Sequence, residues 1–143
     1  MSRSGYSDDC DGWQLIMWRG AVASALRGKR GQAFLREALA ALDALPEPAL
    51  IQNDLQAEGA FCTLGAVGAK RGLPLENVDP DDHDTVAGVF GIPHSLACEI
   101  MWVNDEGSFR TETPRARWER MRKWIVANLR EDMPPDGSLA APA

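Results

Sequence analysis

Between residues 32 and 45 the apolar side chains Phe34, Leu35, Ala38, Leu39, Leu42 and Leu45 recur every three or four positions, while Arg36, Glu37 and Asp43 fall off that stripe. A period near 3.6 belongs to an α-helix with one buried face, because side chains on a strand alternate every second residue. The spacing returns at Trp118, Met121, Trp124, Ile125 and Leu129, behind a Thr113–Pro114 start suited to a helix N-terminus. These patterns predict a mainly α fold, a compact single-domain bundle of about six helices with one short β-hairpin near residues 50–64.

The remaining elements follow from local signals. A first helix is expected from near Asp9 to Gly12, where the DDCDG run puts carboxylates at the positive end of the helix dipole, to about Leu26. Its apolar residues lie on nearly every face, which predicts a central, well-buried helix, and Gly20, Ala21 and Ser24 would admit a close neighbour. Trp13, Trp18, Leu39 and Leu42 are the expected core of the first two helices, with RGKRG (27–31) as the loop between them and PEP (46–48) ending the second. Gly59 suits a hairpin turn, and CTLGAVGAKR (62–71) a short helix capped by Gly72. Asp79 and Pro80 read as the N-cap and first residue of a helix ending at Gly91. Pro93 opens another that runs to Asn104, where NDEG (104–107) reads as a turn.

A chain of 143 residues is the size of one domain. The expected organisation is a disordered start at 1–7, a helical domain at 8–133 and a disordered tail at 134–143. No apolar run approaches the roughly 18 residues that span a bilayer. The start carries no charged-then-apolar leader, and Cys10, Cys62 and Cys98 are odd in number and widely spaced. Buried thiols in a reducing cytoplasm, with no membrane association, are the expectation.

Several patterns bear on function. DTVAGVFGIPHSLACEI (84–100) has the Ala87, Gly91, Ile92, Ala97 and Ile100 spacing of a helix-turn-helix, which makes a DNA-binding regulator one alternative. Its second helix holds no Arg or Lys, however, and Glu76, Asp79, Asp81, Asp82 and Asp84 stand just upstream. That charge would repel a phosphate backbone, so direct duplex DNA binding is not expected. The opposite charge gathers in the last helix, with Arg115, Arg122 and Lys123 as its candidate contacts. The bland account of that helix is a solvated face on which Arg115, Glu119 and Lys123 pair at i,i+4. Segregated charge and five tryptophans lead us to expect a homodimer.

The run DPDDHD fails as an EF-hand loop, because Asp84 and Phe90 stand where glycine and glutamate are required. His94 and Cys98, four apart on one helix, share a face suited to zinc ligation or to a small enzyme with a Cys98 nucleophile. Nothing in the spacing brings His83 to them, so no metal, cofactor or catalytic residue is expected. No phosphate-binding loop, nucleophile elbow or HExxH occurs.

The strings RGKRGQAFLREALAALDALPE, FCTLGAVGAKRG and DPDDHDTVAGVFGI, with the later NDEG, span much of residues 5–130. In these the chain resembles a family of small proteins encoded by phages and prophages of proteobacteria. The resemblance carries no residue roles. It implies a non-enzymatic accessory protein in the cytoplasm of a bacterial host cell, acting by binding a host protein. Such proteins include inhibitors of bacterial defence systems, of the anti-CRISPR kind, and the partner would then be a nucleic-acid-binding defence complex. The partner-binding residues expected on charge are Glu76, Asp79, Asp81, Asp82, Asp84, Arg115, Arg122 and Lys123.

Overall fold

A computed structural model describes residues 12–108 and 111–130, those of 12–15 as backbone only. The expectations for residues 1–7 and 134–143, for the capping carboxylates at 8–11, for Cys10 and for burial of Trp13 lie outside the described residues. The helices are α1 (Gly12–Arg27), α2 (Lys29–Ala44), α3 (Thr63–Arg71), α4 (His83–Phe90), α5 (His94–Glu106) and α6 (Pro114–Asn128). One hairpin, β1 (Gln56–Ala57) and β2 (Ala60–Phe61), and one 3₁₀ turn at Leu75–Asn77 complete the elements among the described residues. The architecture is the mainly α, six-helix one that the periodicity predicts.

The hairpin pairs Gln56 with Phe61 and Ala57 with Ala60. Its turn residues Glu58 and Gly59 both have positive φ, 52° and 82°, the sense of turn that matches strand twist. On α2 the predicted stripe faces inward, with Phe34, Leu35, Ala38 and Leu42 buried beside Ala41, although Leu39 and Leu45 are only partly so. Thr113 caps α6, its hydroxyl accepting from the Ala116 N–H at 3.0 Å ahead of Pro114. Among the described residues no single helix is long and apolar enough to cross a membrane.

The centre of the molecule is α5, which packs against α1, α3, α4 and α6. Its Leu96, Ala97, Ile100 and Met101 are no more than 1% exposed. The helix expected at the centre, α1, is instead peripheral: Val22 is buried, Trp18 half-buried, and Ile16 and Met17 are 65% and 60% exposed. Apolar residues spread round a helix with no stripe give it no preferred face, and among the described residues α1 packs chiefly on α5 and α2. Gly20, expected at a close helix contact, has no atom of another element within 4 Å of a would-be Cβ among the described residues.

Three boundaries also differ from expectation. RGKRG is not a loop: the chain breaks at Gly28 alone, and Gly31 lies inside α2. A Cβ on Gly31 would sit 1.8 Å from the Ala25 carbonyl oxygen, so this glycine permits the tight α1–α2 corner. Asp79 does not cap a helix. It caps a turn, accepting from the Asp81 N–H at 2.9 Å, and Asp82 takes the cap of α4 by accepting from Thr85 at 3.2 Å. NDEG is not a separate turn but the last turn of α5. The Asn104 side chain is drawn into the core, accepting from Thr63 N and Oγ1 and donating to the Ile51 carbonyl, and does not compete for its own backbone.

Candidate metal centre

The α4–α5 corner is where chemistry-bearing side chains meet. Asp82 starts α4, so His83 is its first residue, and Pro93 places His94 at the start of α5. Gly91 joins them in the left-handed region at φ 69°, which a side chain would resist, and the two helices bend by 107°. Cys98 lies one turn beyond His94 on the same face. His83 Nδ1, His94 Nε2 and Cys98 Sγ lie within 4.8 Å of one another.

The finer geometry is that of a donor cluster. The His83 and His94 rings have centroids 4.5 Å apart with His83 Nδ1 against His94 Nε2, and Cys98 Sγ lies 3.4 Å from that Nε2. A tetrahedral zinc site with bonds of about 2.0 to 2.3 Å holds its donor atoms about 3.3 to 3.8 Å apart. Asp84 Oδ1 stands 3.5 Å from His94 Nε2 and 4.0 Å from His83 Nδ1. The histidines are partly exposed and Cys98 is buried. Trp18 of α1 meets the His94 ring edge-on, centroids 5.9 Å apart, and walls one side.

Burial first, then the Asp84 and Glu99 carboxylates, push the Cys98 thiol up to about 12. A nucleophilic cysteine needs the reverse, an electropositive surround that favours thiolate. The Cys98–His94 pair thus has the distance for a catalytic dyad but not the field. A divalent cation among the donors would supply the missing positive charge and take the sulfur as thiolate.

Glu76, Asp79, Asp81, Asp82 and Asp84 are all exposed along one stretch leading into α4. Asp82 is held below the usual carboxylate range by hydrogen bonds from Thr85. The basic residues of α6 are spent differently from what their charge suggests. Arg122 pairs with Asp43 at 2.7 Å and Arg115 with Glu119 at 3.4 Å, the latter at the expected i,i+4 spacing, while Lys123 is exposed. Arg117 and Arg120 turn inward to Glu112 at 3.3 and 2.6 Å.

The helix-turn-helix spacing corresponds to a real helical corner, but α5 is the core helix, and the strip it leaves part-exposed, Ser95, Glu99, Trp102 and Glu106, carries no positive charge to meet a phosphate backbone. His83 is the residue that the sequence reading leaves out of the site, since it stands among aspartates and looks solvated. Its signal is positional: once α4 is started at Asp82, His83 and His94 each open a helix on either side of one corner.

Fold and cluster together define a six-helix, mainly α protein with a mixed imidazole–thiol donor set at a helix corner. Comparison with protein-family models, curated proteins and solved structures finds no match to the chain.

Proposed function

We propose that this chain is a non-enzymatic helical protein that binds one transition-metal ion, zinc by the chemistry of its donors, through His83, His94 and Cys98. The observation that carries the reading is the convergence of these three donor atoms, from two helices, within 4.8 Å. Two imidazoles and a thiolate form a borderline-soft set that suits zinc and excludes magnesium and calcium. The ion would pin the start of α4 to the start of α5. Metal analysis of protein expressed with ample zinc is the test. One zinc per chain is expected, lost in His94→Ala and Cys98→Ala. Metal-free protein that takes up no zinc, cobalt, nickel or copper at micromolar concentration would sink the reading.

A second reading rests on the five exposed carboxylates of residues 76–84. They suit a partner that presents arginine and lysine, and in the phage setting implied by the resemblance that partner is a host nucleic-acid-binding protein. The variant Glu76→Gln/Asp79→Asn/Asp81→Asn removes charge while sparing the α4 cap and the metal donors. A specific host protein retained at low salt by the wild type, released by salt and not retained by the variant supports this reading. Equal retention by both proteins counts against it.

A further inference from the structure

Resting on the metal reading, we infer that the Asp84 carboxylate is the fourth ligand of the ion, giving a closed shell of two histidines, one cysteine and one aspartate. Three donors are already gathered, and a tetrahedral ion needs one more. The nearest structural and catalytic alternatives differ in that fourth position, which is a protein ligand in the first and water or substrate in the second.

Asp84 is singled out from its neighbours by geometry. Its Oδ1 lies 3.5 and 4.0 Å from the two imidazole nitrogens, close to the donor spacing of about 3.3 to 3.8 Å in a tetrahedral site. The other acids of the run leading into α4 have other tasks or positions. Asp79 accepts the Asp81 N–H, Asp82 caps α4, and Glu76 sits in the 3₁₀ turn before the acidic run. Asp84 also follows His83 directly on the first turn of α4, so the two reach the corner from one rigid element.

Charge balance favours the same ligand. A divalent ion with two neutral imidazoles and one thiolate keeps a net charge of about +1, which one carboxylate cancels. The Asp84 side chain is 82% exposed, so it can swing onto the ion without repacking the core. It is therefore the last ligand to engage and the first to leave. A shell closed in this way leaves no position for a substrate, and the centre holds or senses metal without hydrolysing anything.

Zinc affinity by chelator competition, together with the spectrum of the cobalt-substituted protein, tests the assignment. Asp84→Asn should weaken zinc binding by more than about tenfold, the scale on which even outer-shell groups act. Asp81→Asn removes the same charge nearby and should stay within about twofold. Equal melting temperatures of the metal-free proteins exclude misfolding as the cause. The wild-type cobalt spectrum should ignore added azide, whereas that of Asp84→Asn should shift as azide enters the vacated position. Equal weakening by the two variants, or a wild-type spectrum that moves with azide, overturns the fourth-ligand assignment and leaves the three-donor site standing. A wild-type chain that binds neither zinc nor cobalt overturns both.

Discussion

Gln32 shows how much one buried polar side chain can organise. It is fully buried, its amide donates to the Leu26 and Asn128 carbonyls at 2.7 and 2.9 Å, and its Oε1 accepts the Arg130 N–H at 2.7 Å. The ends of α1 and α6 are thereby fastened to the start of α2. Gln32→Leu keeps the volume but leaves two part-buried carbonyls and one N–H without their partner, at a cost of about 1 to 3 kcal/mol. Urea unfolding should show a lower midpoint with an unchanged slope, and a loss below about 0.5 kcal/mol would mean that water replaces the amide. This site was not legible in the sequence. A glutamine at the head of an amphipathic helix reads as surface, and its partner Asn128 is 96 residues away. Asn104 was misread as part of a turn for the same reason, since its partners Thr63 and Ile51 lie 41 and 53 positions back. What was legible is what local chemistry decides: the α2 stripe, the Thr113 cap, and the glycines that end α3 and α4.

Among the helices, periodicity assigned the elements correctly but not their depth. Both α1 and α5 carry apolar residues on several faces, and α1 was the one expected at the centre. What decides is how many neighbours each helix meets, and that is a property of the assembled chain. Two isoleucines put numbers on the contrast, Ile100 of α5 at 1% exposure and Ile16 of α1 at 65%. Ile100→Ala should cost about 2 to 5 kcal/mol through lost burial and the cavity left behind, and Ile16→Ala less than about 0.5 kcal/mol. Similar losses at both sites in denaturant unfolding would mean that α1 is packed in solution. The metal reading adds an expectation for the same helix. Trp18 leans edge-on against the His94 ring, so an ion that fixes this ring also steadies α1. Amide exchange across residues 16–22 should slow when zinc is added to the wild type, and less so in Trp18→Ala. Zinc uptake without any change in α1 exchange would show that the corner and the helix are uncoupled.

At the scale of the molecule, a chain of net charge −6 is tied together by ion pairs, and three of their carboxylates titrate low. Hydrogen bonding to Arg71 holds Glu37 below its ordinary range, Arg122 does the same for Asp43, and Arg120 does so for Glu112. These pairs bind α2 to α3, α2 to α6, and the entry of α6 to its own second turn. A carboxyl whose pKa is depressed on folding binds its proton more readily in the unfolded chain. Its contribution is therefore complete above the unfolded value, 4.5 for Glu and 3.8 for Asp, and disappears as pH falls through the lower folded value. Melting temperature should hold from pH 8 down to about pH 5 and then fall. Glu112 should account for much of that slope, because it is the least exposed of the three acids, at 11%, and faces two guanidiniums that are themselves largely buried. Glu112→Gln leaves Arg117 and Arg120 inside without their counter-charge, so at pH 7 the variant should melt well below the wild type. Protonation of Glu112 in the wild type imposes much the same loss, and the gap between the two proteins should shrink as pH drops below 4. A gap that stays constant from pH 7 to pH 3 would mean that Glu112 acts through packing and not through its charge.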